Sequence, residues 1–321
     1  MKHMPLMHAP GIAPITGPSI SLQQLIGLKH QARDIPLFSH QASASVHSGQ
    51  QRSRFRGRGM DFDEVRIYQA GDDIRHIDWR VTARTSRPHT KLFREERDRP
   101  VLVMVDQRQS MCFGSRITYK SVLAAELASI AAWAALANND KVGGIVFNEK
   151  DLSEIKPRRN KQALLALLKQ LADYNQCLLA APQAQSQPKA ELTLSAVLQR
   201  LQYVARPGSS IFLASDFSDY DEAAENILWI LRRHCEIHAL LVCDPLEQQL
   251  PGGDLLPITD GAHKKMVNGK DSRLLETYRK NFVERQTGLT TRLARLGIHC
   301  QACSTVDDPR QLLLQLGRHR A

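Results

Sequence analysis

VLVMVD, residues 101–106, is an unbroken apolar run closed by an aspartate. A half-exposed strand would alternate apolar and polar residues, so such a run suits a strand buried on both faces at the centre of a parallel sheet. Regular alternation follows. TYKSVLAAELASIAAWAALANND (118–140) has helical spacing with Thr118 as a candidate N-cap, and KVGGIVFN (141–148) is the next strand. A short strand near EIKP (154–157) precedes the helix KQALLALLKQLADYN (161–175), and CLLAAPQAQSQPKA (177–190) reads as a surface loop. ELTLSAVLQRLQYVA (191–205) resumes as a helix stopped by RPG.

SSIFLASD (209–216) is a second buried strand that ends in an aspartate. Its helix, DEAAENILWILRRHC (221–235), opens with acids that favour the N-terminal dipole. The strand EIHALLVCDP (236–245), a hairpin within 251–267, a basic helix over roughly 271–296, the strand IHCQACST (298–305) and the helix DPRQLLLQLGRH (308–319) complete the chain. Strands alternating with helices imply right-handed crossovers and a doubly wound, mostly parallel α/β sheet covered on both faces. Sites in such sheets form beyond the carboxyl ends of the strands, where strand order reverses. If the strands ending in Asp106 and Asp216 flank that point, the two carboxylates face one another. Asp106, Arg108 and Ser110, at alternate positions, are expected to share one side of the loop.

Upstream, residues 52–100 are dense in charge with aromatic and β-branched residues between. FDEVRIY (62–68), WRVTART (79–85) and HTKLFREE (89–96) alternate well enough to be strands, and AGDD and SRP supply turns. The expected organisation is a partly disordered N-terminal extension (1–51), a charged β-rich segment (52–100) and the α/β domain (101–321). Within the extension, ISLQQLIGLKHQA (20–32) has helical spacing. Trp79 is expected as a core anchor, and the opposite charges of the segment as cross-strand pairs.

The 321 residues are 42% hydrophobic, too apolar for general disorder, and carry a net charge of +10 from 43 Lys+Arg against 33 Asp+Glu. Both signs are interspersed, which describes a solvated basic surface as well as an anion-binding one. Cys112, Cys177, Cys235, Cys243, Cys300 and Cys303 lie mostly in apolar surroundings, and the Cys300–Cys303 pair falls inside a strand without a redox turn. Reduced, core-lining thiols and a cytoplasmic setting are expected. No stretch reads as a secretory signal or a membrane span; the most apolar helix contains Glu126. His76 and His89 lack a third ligand at zinc spacing. No phosphate-loop, dinucleotide or nucleophile-elbow motif is present, so no nucleotide is expected.

The run GRGMDFDEVRIYQAGDDIRHIDWRVTARTSRPHTKLFREERDRPVLVMVDQRQSM (57–111) resembles the signature of the bacterial domain-of-unknown-function family 58. The resemblance implies a von Willebrand factor A-like, Rossmann-like domain with a metal-ion-dependent adhesion site: D-x-S-x-S after the first strand, a threonine from a second loop and an aspartate after the fourth strand. Carried over, Asp106 is the first aspartate, Ser110 the second serine and Asp216 the late aspartate. Thr193, one position off the pattern, is the nearest threonine. Arg108 stands where the first serine is expected, and a guanidinium has no lone pair to offer a cation. Either Arg108 pairs with Asp106 or Asp216 and takes the metal's place, or it turns outward and Mg²⁺ or Mn²⁺ binds.

The resemblance also implies a partner, a MoxR-type AAA+ ATPase, in chaperone-like assembly or maturation of a client protein. The leading expectation is a non-enzymatic protein-interaction module with Asp106, Arg108, Ser110 and Asp216 as its partner-binding residues. One alternative is a Mg²⁺-dependent phosphoryl-transfer or hydrolytic enzyme with Asp106 as nucleophile, against which stands Arg108 where a second acid would be needed. The other is a nucleic-acid or membrane-surface binder acting through basic charge, to which RSRFRGRG (52–59) is the nearest pointer.

Overall fold

The computed structural model describes residues 15–33, 35, 60–69, 71–95, 99–180, 192–253, 255–259 and 264–318. Of the expected loop 177–190, residues 177–180 are helical and the rest, like the RSRFRGRG run, lies outside the described residues. The chain divides into two compact units, residues 41–98 and residues 1–40 with 99–321.

In the N-terminal segment, α1 (Leu22–Gly27) opens on a capping box in which Ser21 and Gln24 satisfy each other's backbone. A single 3-10 turn (Leu28–His30) follows. The helix is shorter than its spacing suggests, yet Ile20, Leu25 and Leu28 are fully buried in the core of the larger unit. Leu25 accepts a hydrogen bond from the Trp133 indole at 3.1 Å.

The smaller unit pairs β1 (Met60–Ile67) antiparallel with the second of its strands, β2 (His89–Glu95), with a bulge between Phe62 and Glu64. Between them, WRVTART is a helix, α2 (Trp79–Thr85), not the expected strand. The Asp78 carboxylate caps it, accepting from Arg80 N at 3.0 Å and Val81 N at 3.2 Å. That local cap outweighs a two-residue alternation too short to decide between periods. Trp79 is not a core anchor: it is 68% exposed. The ion pairs among the described residues run from strand to turn, Arg66–Asp72 and Lys91–Asp78, rather than across strands.

The larger unit is built on β3 (Val101–Asp106), α3 (Lys120–Ala137), β4 (Val142–Phe147), β5 (Leu152–Arg158), α4 (Lys161–Ala180), α5 (Leu194–Val204), β6 (Ser210–Ser215), α6 (Glu222–Arg232) and β7 (Glu236–Cys243). The short α7 (Pro245–Gln248), the hairpin β8 (Leu255–Thr259) and β9 (Lys264–Asn268), the long α8 (Ser272–Arg295), β10 (His299–Ser304) and α9 (Pro309–Arg318) complete it. Six strands form one sheet in the order β10-β7-β6-β3-β4-β5, parallel except for the edge strand β5. This is a mixed α/β fold with a mostly parallel central sheet.

Alternate residues of β3 point into opposite cores, Val101, Val103 and Val105 against α3, α4 and α9, and Leu102 and Met104 against α5 and α6. Burial on both faces is why this strand shows no polar alternation. Gly144 on β4 lies so close that a Cβ there would collide with the Val103 carbonyl, which accounts for a glycine inside a central strand. The helix α3 is 18 residues long and apolar enough, by length and composition alone, to cross a membrane; here it is packed inside the fold. It starts after Tyr119 with no side-chain cap, and Thr118 instead donates to the Gly17 carbonyl. All six cysteines are free; Cys235, Cys243 and Cys303 are buried, Cys112 and Cys300 half-buried, and Cys177, contrary to expectation, exposed.

From β3 the chain crosses to β4 on one side and later returns as β6 on the other. Strand order therefore reverses between β3 and β6, whose carboxyl ends lead into Asp106 and Asp216.

Candidate functional site

At this reversal point each aspartate is matched to its own cation. Asp106 is fully buried. Its Oδ1 accepts from the backbone N and Nε of Arg108, both at 3.0 Å, and its Oδ2 accepts from Arg108 Nη2 at 2.8 Å and Ser215 Oγ at 2.6 Å. The outer edge of the guanidinium is gripped by Asp219 on the loop after β6: Nη1 donates to Oδ2 at 2.7 Å and Nη2 to Oδ1 at 2.8 Å. This is the two-pronged geometry that makes arginine–carboxylate pairs strong and directional. The Phe147 ring at the end of β4 backs the guanidinium at 5.3 Å.

Asp219 reaches back because the loop turns sharply at Phe217, a buried residue in the left-handed region with φ 51°. Such a conformation is uncommon for a bulky side chain. Leu194 N, at the start of α5, donates to Asp219 at 2.8 Å and fixes it further.

Lys120, the first residue of α3, is the second cation and only 2% exposed. Its Nζ donates to Asp216 Oδ2 at 3.0 Å and to Glu247 Oε1 at 2.6 Å. Asp216 Oδ1 accepts from Ser218 N at 3.1 Å, and the Ser110 hydroxyl lies near enough to favour the charged Asp216 carboxylate. Beneath the crevice, Gln107 donates to the Ser121 carbonyl at 2.8 Å, and Asn175 joins Ser121 Oγ to the backbone N–H of Ile20. The 3-10 turn carrying Ser110 is pinned by the Gln109 backbone N–H, which donates to the Glu149 carboxylate.

Burial pushes the Asp106 carboxyl upward, opposed by Arg108 and Ser215, with the charge of Asp216 adding to the upward push. Burial also acts upward on Asp216, but the Lys120 ammonium, Ser218 and Ser110 bring it below its ordinary value. Asp219 is likewise held low, its desolvation outweighed by Arg108 and the Leu194 N–H.

These residues do not fit a divalent cation as they stand. A metal needs free carboxylate and hydroxyl lone pairs. Both oxygens of Asp106 and both of Asp216 already accept from an ammonium, a guanidinium, a hydroxyl or a backbone N–H. Two buried positive charges, Arg108 and Lys120, also lie against these carboxylates and would repel a dication.

Asp106, Arg108, Ser110 and Asp216 thus come together as the spacing suggests, though through a 3-10 turn rather than a continued strand. Thr193 does not join them: it is exposed, and its hydroxyl caps α5 by accepting from Ala196 N at 3.3 Å. Sequence reasoning missed Asp219, Lys120, Glu247 and Ser215. Asp219 sits three residues past Asp216 in an acid-rich loop, a signal that could have been read. Lys120 and Glu247 lie far apart in the chain and carry no spacing signal. Beside Asp216 opens a cavity of about 540 Å³, walled by Phe217, Leu241, Tyr278, Phe282 and Leu289.

Fold and site together define a mixed α/β protein with a charge-compensated crevice at its strand ends. Residues 64–288 match the family described as "Protein of unknown function DUF58", and the chain belongs to that family. Uncharacterized proteins of Mycobacterium tuberculosis and Mycobacterium bovis are 27% identical over 225 residues, spanning 70% of this chain and 68% of theirs. Among solved structures, the conserved hypothetical protein BatB from Bacteroides thetaiotaomicron aligns with 14% identity and a TM-score of 0.39, over 69% of this chain and 98% of that one. An aerotolerance-related membrane protein from Bacteroides fragilis aligns with 16% identity and a TM-score of 0.37, over 68% and 97%.

Proposed function

We propose that this chain is a non-enzymatic interaction module, a von Willebrand factor A-like domain whose adhesion-type crevice uses Arg108 in place of a metal ion. In this reading the partner presents a carboxylate, and Arg108 receives it through its outer two N–H groups. The partner we assign is a MoxR-type AAA+ ATPase acting with this chain in assembly or maturation of a client protein.

One observation carries the reading: the outer edge of the guanidinium is already held by the carboxylate of Asp219. Asp219 rests on a surface loop with its side chain 32% exposed, whereas Asp106 beneath is sealed. The outer carboxylate is the exchangeable one. A partner's aspartate or glutamate that displaced it would find Arg108 oriented by Asp106 and Phe147, with little side-chain entropy left to lose.

The test is a binding titration of the full chain against the MoxR-type ATPase of the same bacterium. Arg108→Ala is expected to weaken binding at least about tenfold, roughly 1.4 kcal/mol. Asp219→Asn, which keeps the loop's shape but withdraws the competing charge, is expected to tighten binding several-fold. Unchanged affinity in both variants would overturn the proposal. The Asp219 variant guards against the possibility that loss of Arg108 acts only by unfolding.

A further inference from the structure

The helix α2 carries a surface that nothing in the crevice explains. Trp79 opens the helix and is 68% exposed; Ile74, on the 3-10 turn just before it, is 65% exposed. Residues one turn apart share a helix face, so Trp79 lies beside Ala83 and Arg80 beside Arg84. Trp79, Arg80, Ala83 and Arg84 are all exposed and form one continuous stripe. An exposed tryptophan is unusual on a surface that exists only to be solvated.

The charge around this stripe is unbalanced by construction. Each described acid of the connection is turned to local duty. Asp72 holds Arg66 at 2.7 Å and accepts from Gln69 N; Asp73 caps the turn at Arg75 N; Asp78 caps α2 and pairs with Lys91. The guanidinium groups of Arg75, Arg80, Arg84 and Arg87 have no hydrogen-bond or ion-pair partner among the described residues, and all four residues are exposed. A tryptophan and an isoleucine bordered by uncompensated arginines is the composition of a protein-interface hot spot, where Trp and Arg supply most of the binding energy. A single-stranded nucleic-acid platform would instead offer successive aromatic rings along a cationic track, and one ring among aliphatic side chains is not that.

We infer that the Trp79–Arg84 face of α2 is a docking surface for an acidic protein segment, distinct from the Arg108 crevice and independent of what that crevice binds. Acidic side chains would meet Arg80 and Arg84 while an apolar side chain covers Trp79 and Ile74.

The test uses the full chain and a short fluorescein-labelled peptide of alternating glutamate and leucine. Its comparison arms are the same peptide with glutamine for glutamate, oligo-deoxythymidine, and phosphatidylglycerol vesicles. Trp79→Ala, and separately Arg80→Glu with Arg84→Glu, are each expected to weaken the glutamate peptide at least about tenfold. The glutamine peptide should bind no better than those variants do. Arg273→Glu with Arg279→Glu, a pair of exposed substitutions on α8 that changes the net charge equally, controls for overall charge and should change little. Because the altered side chains are exposed, circular dichroism should show the fold intact.

Equal loss in the Arg273 and Arg279 double variant, or no loss in the Trp79 variant and the Arg80 and Arg84 double variant, would overturn the inference. So would oligonucleotide or vesicle binding that is tighter than the peptide's and depends on Trp79. Because the peptide assay reads Trp79, Arg80 and Arg84 whereas the ATPase titration reads Arg108 and Asp219, failure here and failure of the crevice reading are separable.

Discussion

The strand-end crevice and the α2 face both combine basic side chains with aspartates, and they use the two kinds of charge in opposite ways. In the crevice the charges are buried and matched: Arg108 lies between Asp106 and Asp219, and Lys120 between Asp216 and Glu247. On α2 the aspartates are spent on backbone caps and the arginines point outward unmatched. Buried charge must be compensated within the fold because desolvation is costly, so the crevice fixes its own geometry and leaves only the Asp219 carboxylate partly exposed at the rim. Exposed charge costs little, so the α2 face is free to wait for compensation from outside.

The largest expected consequence of this contrast is in stability. Arg108→Ala strands a buried carboxylate and should cost about 3–5 kcal/mol, whereas Arg80→Ala should stay within about 0.5 kcal/mol; urea unfolding midpoints compare them. Equal, small losses would mean that the crevice pairs are not the buried lattice described here.

A second contrast is set by pH. Burial within α3, with the charge of Asp308 adding, pushes the Glu126 carboxyl up to about 8 from its ordinary 4.5. Between those values the unfolded chain has released a proton that the folded protein keeps, so stability falls as pH rises through the window. Glu126→Gln removes that dependence. Its gain in thermal midpoint over the parent chain should grow from pH 5 to pH 8, by a free energy on the order of a few kcal/mol; a gain that is flat with pH would contradict it.

Smaller again, Asp78→Ala should cost about 1 kcal/mol by uncapping α2. Smallest, Trp79→Ala should change stability by no more than about 0.5 kcal/mol while weakening the docking described above at least about tenfold. A large stability loss in Trp79→Ala would make the tryptophan a packing residue after all.

The same contrast separates what could be read from the sequence. VLVMVD and SSIFLASD are apolar without alternation because both faces of β3 and β6 are buried, and parallel topology then places Asp106 and Asp216 at one end of adjacent strands. Arg108 and Ser110 follow within a few residues, so local chain geometry brings them along. Lys120 and Glu247 reach Asp216 only through the packing of α3 and α7, which no local pattern encodes. The family resemblance points to Thr193, but a threonine before a helix has a nearer use as its cap. WRVTART misleads because its alternation is short and one carboxylate, Asp78, decides the helix. Trp79 misleads because a lone tryptophan in a charged segment reads as an anchor unless its exposure is known.

Under the proposed reading, Arg108 and Lys120 supply in the crevice the positive charge that a metal ion would bring to an adhesion-type site. Isothermal titration of the purified chain with Mg²⁺ and with Mn²⁺ tests it most directly, with Asp106→Ala alongside. The account predicts no saturable binding at millimolar or lower concentration in the parent chain. Binding of either ion at millimolar concentration or tighter, lost in Asp106→Ala, would contradict it.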